Sequence, residues 1–176
     1  TVPPTTIAPP PPPSTTEAPP APDATVSDDG LSVTDGSRTL TVSKASDIDP
    51  AGEMLTVIGE GFDPAKGIQV TLCQAAPSPT EPAAPCRAGA SPDASRIVMP
   101  PADDGVDAAE MGDDGTFEVD LEVAAAIDDA TDCREVGCVV AVRHFSVDPD
   151  TAEAVAADRT LDLAVPVGFA EESPDE

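Results

Sequence analysis

The residues able to do chemistry are few. Four cysteines, Cys73, Cys86, Cys133 and Cys138, form one candidate set. A single histidine, His144, with Ser146 and Asp148 close by, forms a second, and the acidic run Asp103, Asp104, Asp107, Glu110, Asp113 and Asp114 a third. An even number of cysteines allows disulfides, and four allow three connectivities. Closing short loops beside predicted strands favours the local pairs, Cys73 with Cys86 and Cys133 with Cys138. Zinc is the competing chemistry, but the spacings leave twelve and four intervening residues, no C-x2-C step occurs, and only one histidine is available, a poor set for a closed tetrahedral site. Disulfides place the chain outside the cytoplasm, secreted or on an extracellular cell surface. Each short bridge is expected to add about 2 to 3 kcal/mol.

His144 is the one candidate for a general base. On a strand it would share a face with Ser146, but the members of a catalytic triad converge from separate segments, and the chain has neither G-x-S-x-G nor H-E-x-x-H. A structural histidine and a non-enzymatic protein are expected. The acidic run offers carboxylates to a hard cation but lacks the D-x-D-x-D-G spacing of a calcium loop, so it reads as a solvated loop and no metal is expected. With no phosphate-binding glycine loop and no basic stripe, no cofactor is expected either.

The whole composition narrows the partners. The chain has 176 residues with 34 Asp and Glu against 8 Lys and Arg, a net charge of −26, which disfavours nucleic acid and acidic membranes. Its 22 Pro and 12 Gly, four Phe, and lack of Trp and Tyr argue against a long helical bundle or an aromatic-rich core. No apolar run approaches the roughly 20 residues of a membrane span, and the chain opens without a basic n-region or apolar h-region. A soluble monomer, mature or truncated, is expected. Residues 37–170 keep 25 of the acids and all 8 bases, so the acidity belongs to the folded part as well as to the ends.

The elements that must position these residues follow from local pattern. Residues 1–22 hold ten prolines and no Lys or Arg, the composition of an extended polyproline stalk that spaces a domain from a surface. Through residue 36 the sequence is transitional, with Asp-Gly steps at Asp29-Gly30 and Asp35-Gly36. The expected division is a linker at 1–36, a sandwich at 37–170 and an acidic tail at 171–176. Period-two alternation is clearest from Thr116 to Val123, where Phe117, Val119, Leu121 and Val123 form an apolar face. Similar segments run over Thr39–Ser43, Met54–Gly59, Gly67–Cys73, Cys138–Phe145 and Thr160–Val167, with a weaker one at Arg96–Met99. Seven strands separated by Asp-Gly turn chemistry predict an immunoglobulin-like antiparallel β-sandwich. Ala152–Ala157 is the one helix-like stretch.

Alternation also predicts a second surface. If Val140 and Val142 point inward with Cys138, then Val139, Ala141 and Arg143 point outward. Likewise Ile68, Val70 and Leu72 go inward, leaving Gln69, Thr71 and Cys73 outward. Should these strands be neighbours, Thr71, Val139 and Ala141 make a shallow floor with Arg143 and Gln69 as polar edges. That is a candidate ligand groove, the competing reading being a partly solvated outer sheet face.

Two stretches carry a resemblance. Leu40–Gln74, with Gly59, Gly61, Phe62, Asp63, Pro64, Lys66, Gly67, Ile68, Val70, Leu72 and Cys73 in a G-x-G-F-D-P-x-K-G-I-x-V-x-L-C pattern, resembles the first strands of neocarzinostatin-like proteins of actinomycetes. The stretch from Gly115 to Asp150, followed by Asp158–Phe169, resembles that family's last strands, with a C-x4-C pair before the penultimate one. The variant is most similar to immunoglobulin-like domains on actinobacterial surface proteins, some attached to haem-uptake (HtaA-type) modules. The resemblance implies a seven-stranded sandwich with disulfides at Cys73/Cys86 and Cys133/Cys138, and a non-enzymatic role. In the antibiotic members a cleft carries an apolar enediyne chromophore. The expectation is a binding or interaction module on a proline-rich stalk, with a small apolar ligand or a cell-surface protein as partner. The alternative is an apoprotein carrier of a small apolar compound.

Overall fold

The computed structural model describes residues 23–78, 81–87, 89, 91–101 and 108–171. The proline-rich stretch 1–22, Asp103, Asp104 and Asp107 of the acidic run, and residues 172–176 lie outside the described residues. In chain order the elements are β1 (Thr25–Val26), β2 (Ser32–Thr34), β3 (Thr39–Val42), β4 (Glu53–Glu60), β5 (Ile68–Gln74), β6 (Ser95–Met99), β7 (Ala109–Glu110), β8 (Phe117–Val123), β9 (Ala126–Asp128), β10 (Thr131–Asp132), β11 (Cys138–His144), α1 (Pro149–Ala157) and β12 (Leu163–Val167). One sheet runs β1-β2-β3-β4-β8 and the other β12-β11-β5-β6-β7, with β9 and β10 as a separate ribbon. Every pairing is antiparallel except β6 with β7.

The seven strands expected from alternation are β3, β4, β5, β6, β8, β11 and β12. The two sheets make an all-β sandwich. Its core is the inward set of both, including Leu40, Leu55, Val57, Ile68, Val70, Leu72, Leu121, Val140, Val142 and Val165. The alternation of β8 is realised residue by residue: Phe117, Val119, Leu121 and Val123 are buried, and Glu118 and Asp120 are exposed. Both local disulfides are formed, Cys73–Cys86 and Cys133–Cys138.

Two further strands, β1 and β2, arise in the segment read from sequence as transitional. They are short, and polar residues hold their turns: the Ser27 hydroxyl donates to Asp29, and the Leu31 amide donates to the same carboxylate at 3.0 Å. At the next turn the Asp35 carboxylate accepts from the amides of Ser37 and Arg38 at 2.9 and 2.8 Å. The helix-like stretch forms α1, begun by Asp148, whose side chain accepts from the Asp150 amide at 2.9 Å.

The glycine-rich motif that begins at the end of β4 helps to build one end of the sandwich. Gly59 stands opposite Phe117 in the β4–β8 register, and a Cβ there would run into the Phe117 ring. That ring meets Phe62 edge-on at 5.3 Å. Gly115, at φ +76°, lies so close to the Phe62 backbone that a side chain has no room. Gly59 of the motif and Gly115 before β8 thus leave room for two of the four phenylalanines in the core.

Candidate functional site

The outer face of the second sheet brings the expected groove residues into register. β5 and β11 pair Cys73 with Val139, Thr71 with Ala141 and Gln69 with Arg143, and β12 adds Ala164 beside Ala141. Small side chains in three adjacent strands lower this face relative to its surroundings.

The chain following β5 then folds back over it. The Cys73–Cys86 bridge fixes the return, and backbone bonds seat it: the Gln74 amide donates to the Pro85 carbonyl at 2.9 Å, and the Arg87 amide to the Leu72 carbonyl at 2.8 Å. Ala75, Ala83 and Cys86 pack on Cys73, Val139 and Ala141, forming a second apolar cluster apart from the main core. The outer face is therefore roofed rather than solvated. Arg143 completes the closure, its Nη2 donating to the Ala83 carbonyl at 2.6 Å.

Beside the roof remains a recess of about 180 Å³. Val139, Ala141 and Ala164 line it from the sheet, and Ala24, Ala76 and Ala83 from the segments above. Arg143, Arg159 and Asp162 supply its polar lining. Arg159 Nε donates to Asp162 at 2.9 Å. Burial pushes the Asp162 carboxyl up, against the hydrogen bond and charge of Arg159 and the charge of Arg143. The arrangement can hold a small apolar group with a polar end. It has no nucleophile next to a base.

Of the five residues expected at the groove, Val139, Ala141 and Arg143 line the recess, and Gln69 and Thr71 do not. Gln69 donates its amide to the Ser95 hydroxyl at 2.8 Å, and Thr71, fully buried, donates its hydroxyl to the Ala94 carbonyl at 3.1 Å. Both serve the β5–β6 side, where β6 and its preceding loop cover the strand. Asp162 and Ala164 went unnoticed in the sequence, although alternation along Leu163–Val167 puts them on the outward face with Ala141. Ala24, Ala76 and Ala83 carry no periodic signal.

The remaining candidates resolve into structural tasks. His144 Nδ1 lies 3.1 Å from Asp158 Oδ2, joining the end of β11 to the residue that caps α1. Ser146 meets Thr151 at 3.0 Å and accepts from the Asp148 amide at 3.1 Å. The three residues face different partners and assemble no triad. In the acidic run, Asp114 caps its own turn, accepting from the Thr116 hydroxyl at 2.6 Å and amide at 3.2 Å. No group of three metal-ligating side chains occurs among the described residues. No helix among them is long and apolar enough to cross a membrane.

Two facing sheets and two short-loop disulfides define an immunoglobulin-like sandwich with a lined recess on one outer sheet face. The chain belongs to the Neocarzinostatin family, whose family model matches residues 40–157. The known members of that family are non-enzymatic binding proteins. Among solved structures, macromomycin is similar at 18% identity, covering 76% of this chain and 99% of its own, with a TM-score of 0.46. No curated protein matches the chain.

Proposed function

We propose that this chain is a non-enzymatic binding module, secreted or displayed on the cell surface, that receives a small apolar group in the recess between β11, β12 and the Cys73–Cys86 loop. The proline-rich stretch before residue 23 serves as its spacer, as its composition suits. The observation that supports the reading is the recess beside a covalently anchored roof, to which the largely covered Val139, Ala141 and Ala164 contribute an apolar wall.

Family membership favours a second reading, a carrier that sequesters an apolar compound. Size favours the first. Ligand pockets usually hold about 300 to 1,000 Å³, and this recess holds about 180 Å³. A small ligand, or one side chain of a partner protein, fits without rearrangement, whereas a large chromophore requires the roof to lift. Calorimetric titration of apolar ligands of graded size, haem included, tests the proposal. Small ligands are expected to bind the wild type and to lose binding in Ala164→Phe, which fills the recess from its β12 side. Equal binding by both proteins would overturn the site, and preferential binding of the largest ligands would favour the carrier.

A further inference from the structure

Six of the eight basic residues make ion pairs with carboxylates: Arg38, Lys44, Arg87, Arg96, Arg134 and Arg159. Arg143 has no carboxylate partner among the described residues, although acids outnumber bases 34 to 8. A guanidinium carries five N–H donors. Arg143 uses Nη2 on the Ala83 carbonyl, with Cys73 Sγ at 3.7 Å, and its Nε and Nη1 meet no acceptor among the described residues. The other two charged groups of the recess, Arg159 and Asp162, form an ion pair, and the charge of Arg143 acts on the same Asp162 carboxylate from a longer distance. Lys66, the remaining base without an ion pair there, sits in the turn closed by its own amide on the Asp63 carbonyl and lines no part of this recess.

A guanidinium with no carboxylate at ion-pair distance among the described residues thus borders an apolar surface of Val139, Ala141 and Ala164. Its planar fork suits a carboxylate, whose two oxygens accept in parallel. Partial burial strengthens such a bond relative to open water. We infer that the recess takes a small apolar carboxylate, its oxygens on Arg143 and its hydrocarbon body on the alanine-lined sheet. This rests on the reading of the recess as a ligand site. The available space, about 180 Å³, equals the liquid volume of about six waters and limits the body to about the size of a phenyl ring.

The test is calorimetry on the full chain with three ligands of one shape and different charge: benzoate, benzamide and benzylamine. Benzoate is expected to bind about tenfold or more tighter than benzamide, the usual weight of a hydrogen bond to a charged group, and benzylamine is expected to bind least. In Arg143→Gln the advantage of benzoate over benzamide disappears, and in Arg143→Lys part of it returns. The comparison on the wild type stands whether or not the variants keep the roof closed. Equal affinity for benzoate and benzamide would overturn the carboxylate assignment while leaving the recess as a ligand site. If none of the three binds, the site itself fails.

Discussion

At the scale of single residues, Arg38 ties the fold together. Its Nε and Nη2 hold Asp35, and Nη2 also donates to the Thr160 carbonyl at 2.6 Å, while the guanidinium lies 5.6 Å from the Phe62 ring centroid. Arg38 is buried, and its Nη1 has no partner. Removing one partner of a buried pair leaves the other charge stranded. Arg38→Ala is therefore expected to cost about 3 to 5 kcal/mol in urea unfolding; a loss under about 1 kcal/mol would show the pair to be ornamental. Burial works to raise the Asp35 carboxyl, but the amides of Arg38 and Ser37, the Ser37 hydroxyl and the guanidinium together hold it well below the ordinary carboxylate range. An unfolded Asp titrates near about 3.9. The stabilisation is thus complete above about pH 4 and is lost as pH falls through the depressed folded value. The stability gap between wild type and Asp35→Asn should shrink progressively below about pH 4, and a gap constant with pH would contradict this. Sequence reading recognised the Asp35-Gly36 turn but not Arg38, because the arginine's importance comes from Thr160 and Phe62, which only the fold brings near.

At the scale of elements, the long strands were legible because one buried face forces period two, and β8 follows that rule throughout. The roof was not legible. Ala75, Ala76 and Ala83 form no periodic pattern, and what they cover is decided by where the Cys73–Cys86 bridge returns the chain. Arg87, just past the bridge, extends the tie to the first sheet by pairing with Glu122 of β8 at 2.9 Å. Replacing both Cys73 and Cys86 by alanine should cost about 2 to 3 kcal/mol. It should also speed hydrogen exchange at the amides of Gln74 and Arg87 far more than within the β5–β11 ladder, since a roof released by itself opens locally. Uniform loss of protection across both sheets would mean instead that the loop is integral to the sandwich. At the opposite end, Gly59→Val forces a branched side chain into the Phe117 ring. Overpacking of this kind costs about 1 to 3 kcal/mol, readable as a lowered urea midpoint; an unchanged midpoint would show that Phe117 is free to move.

At the scale of the whole molecule, the acidic excess that first excluded nucleic acid also shapes the surface. With six of eight bases already bound to carboxylates, most acids face solvent and one another. Salt screens such repulsion over a Debye length of about 10 Å at 0.1 M, so the thermal midpoint should rise with added sodium chloride. A flat or falling response would show that the ion pairs outweigh the repulsion. The sandwich supplies a frame, and beside the anchored roof lies a small recess on its outer face, lined by Val139, several alanines and Arg143. The most direct test of that account is a methyl-resolved NMR titration of the full chain with benzoate. Saturable shifts are expected at Ala76, Ala83, Val139, Ala141 and Ala164, with the exposed Met54 and Ile58 on the opposite sheet unchanged. Shifts spread evenly over both faces, or none at the alanines, would contradict it.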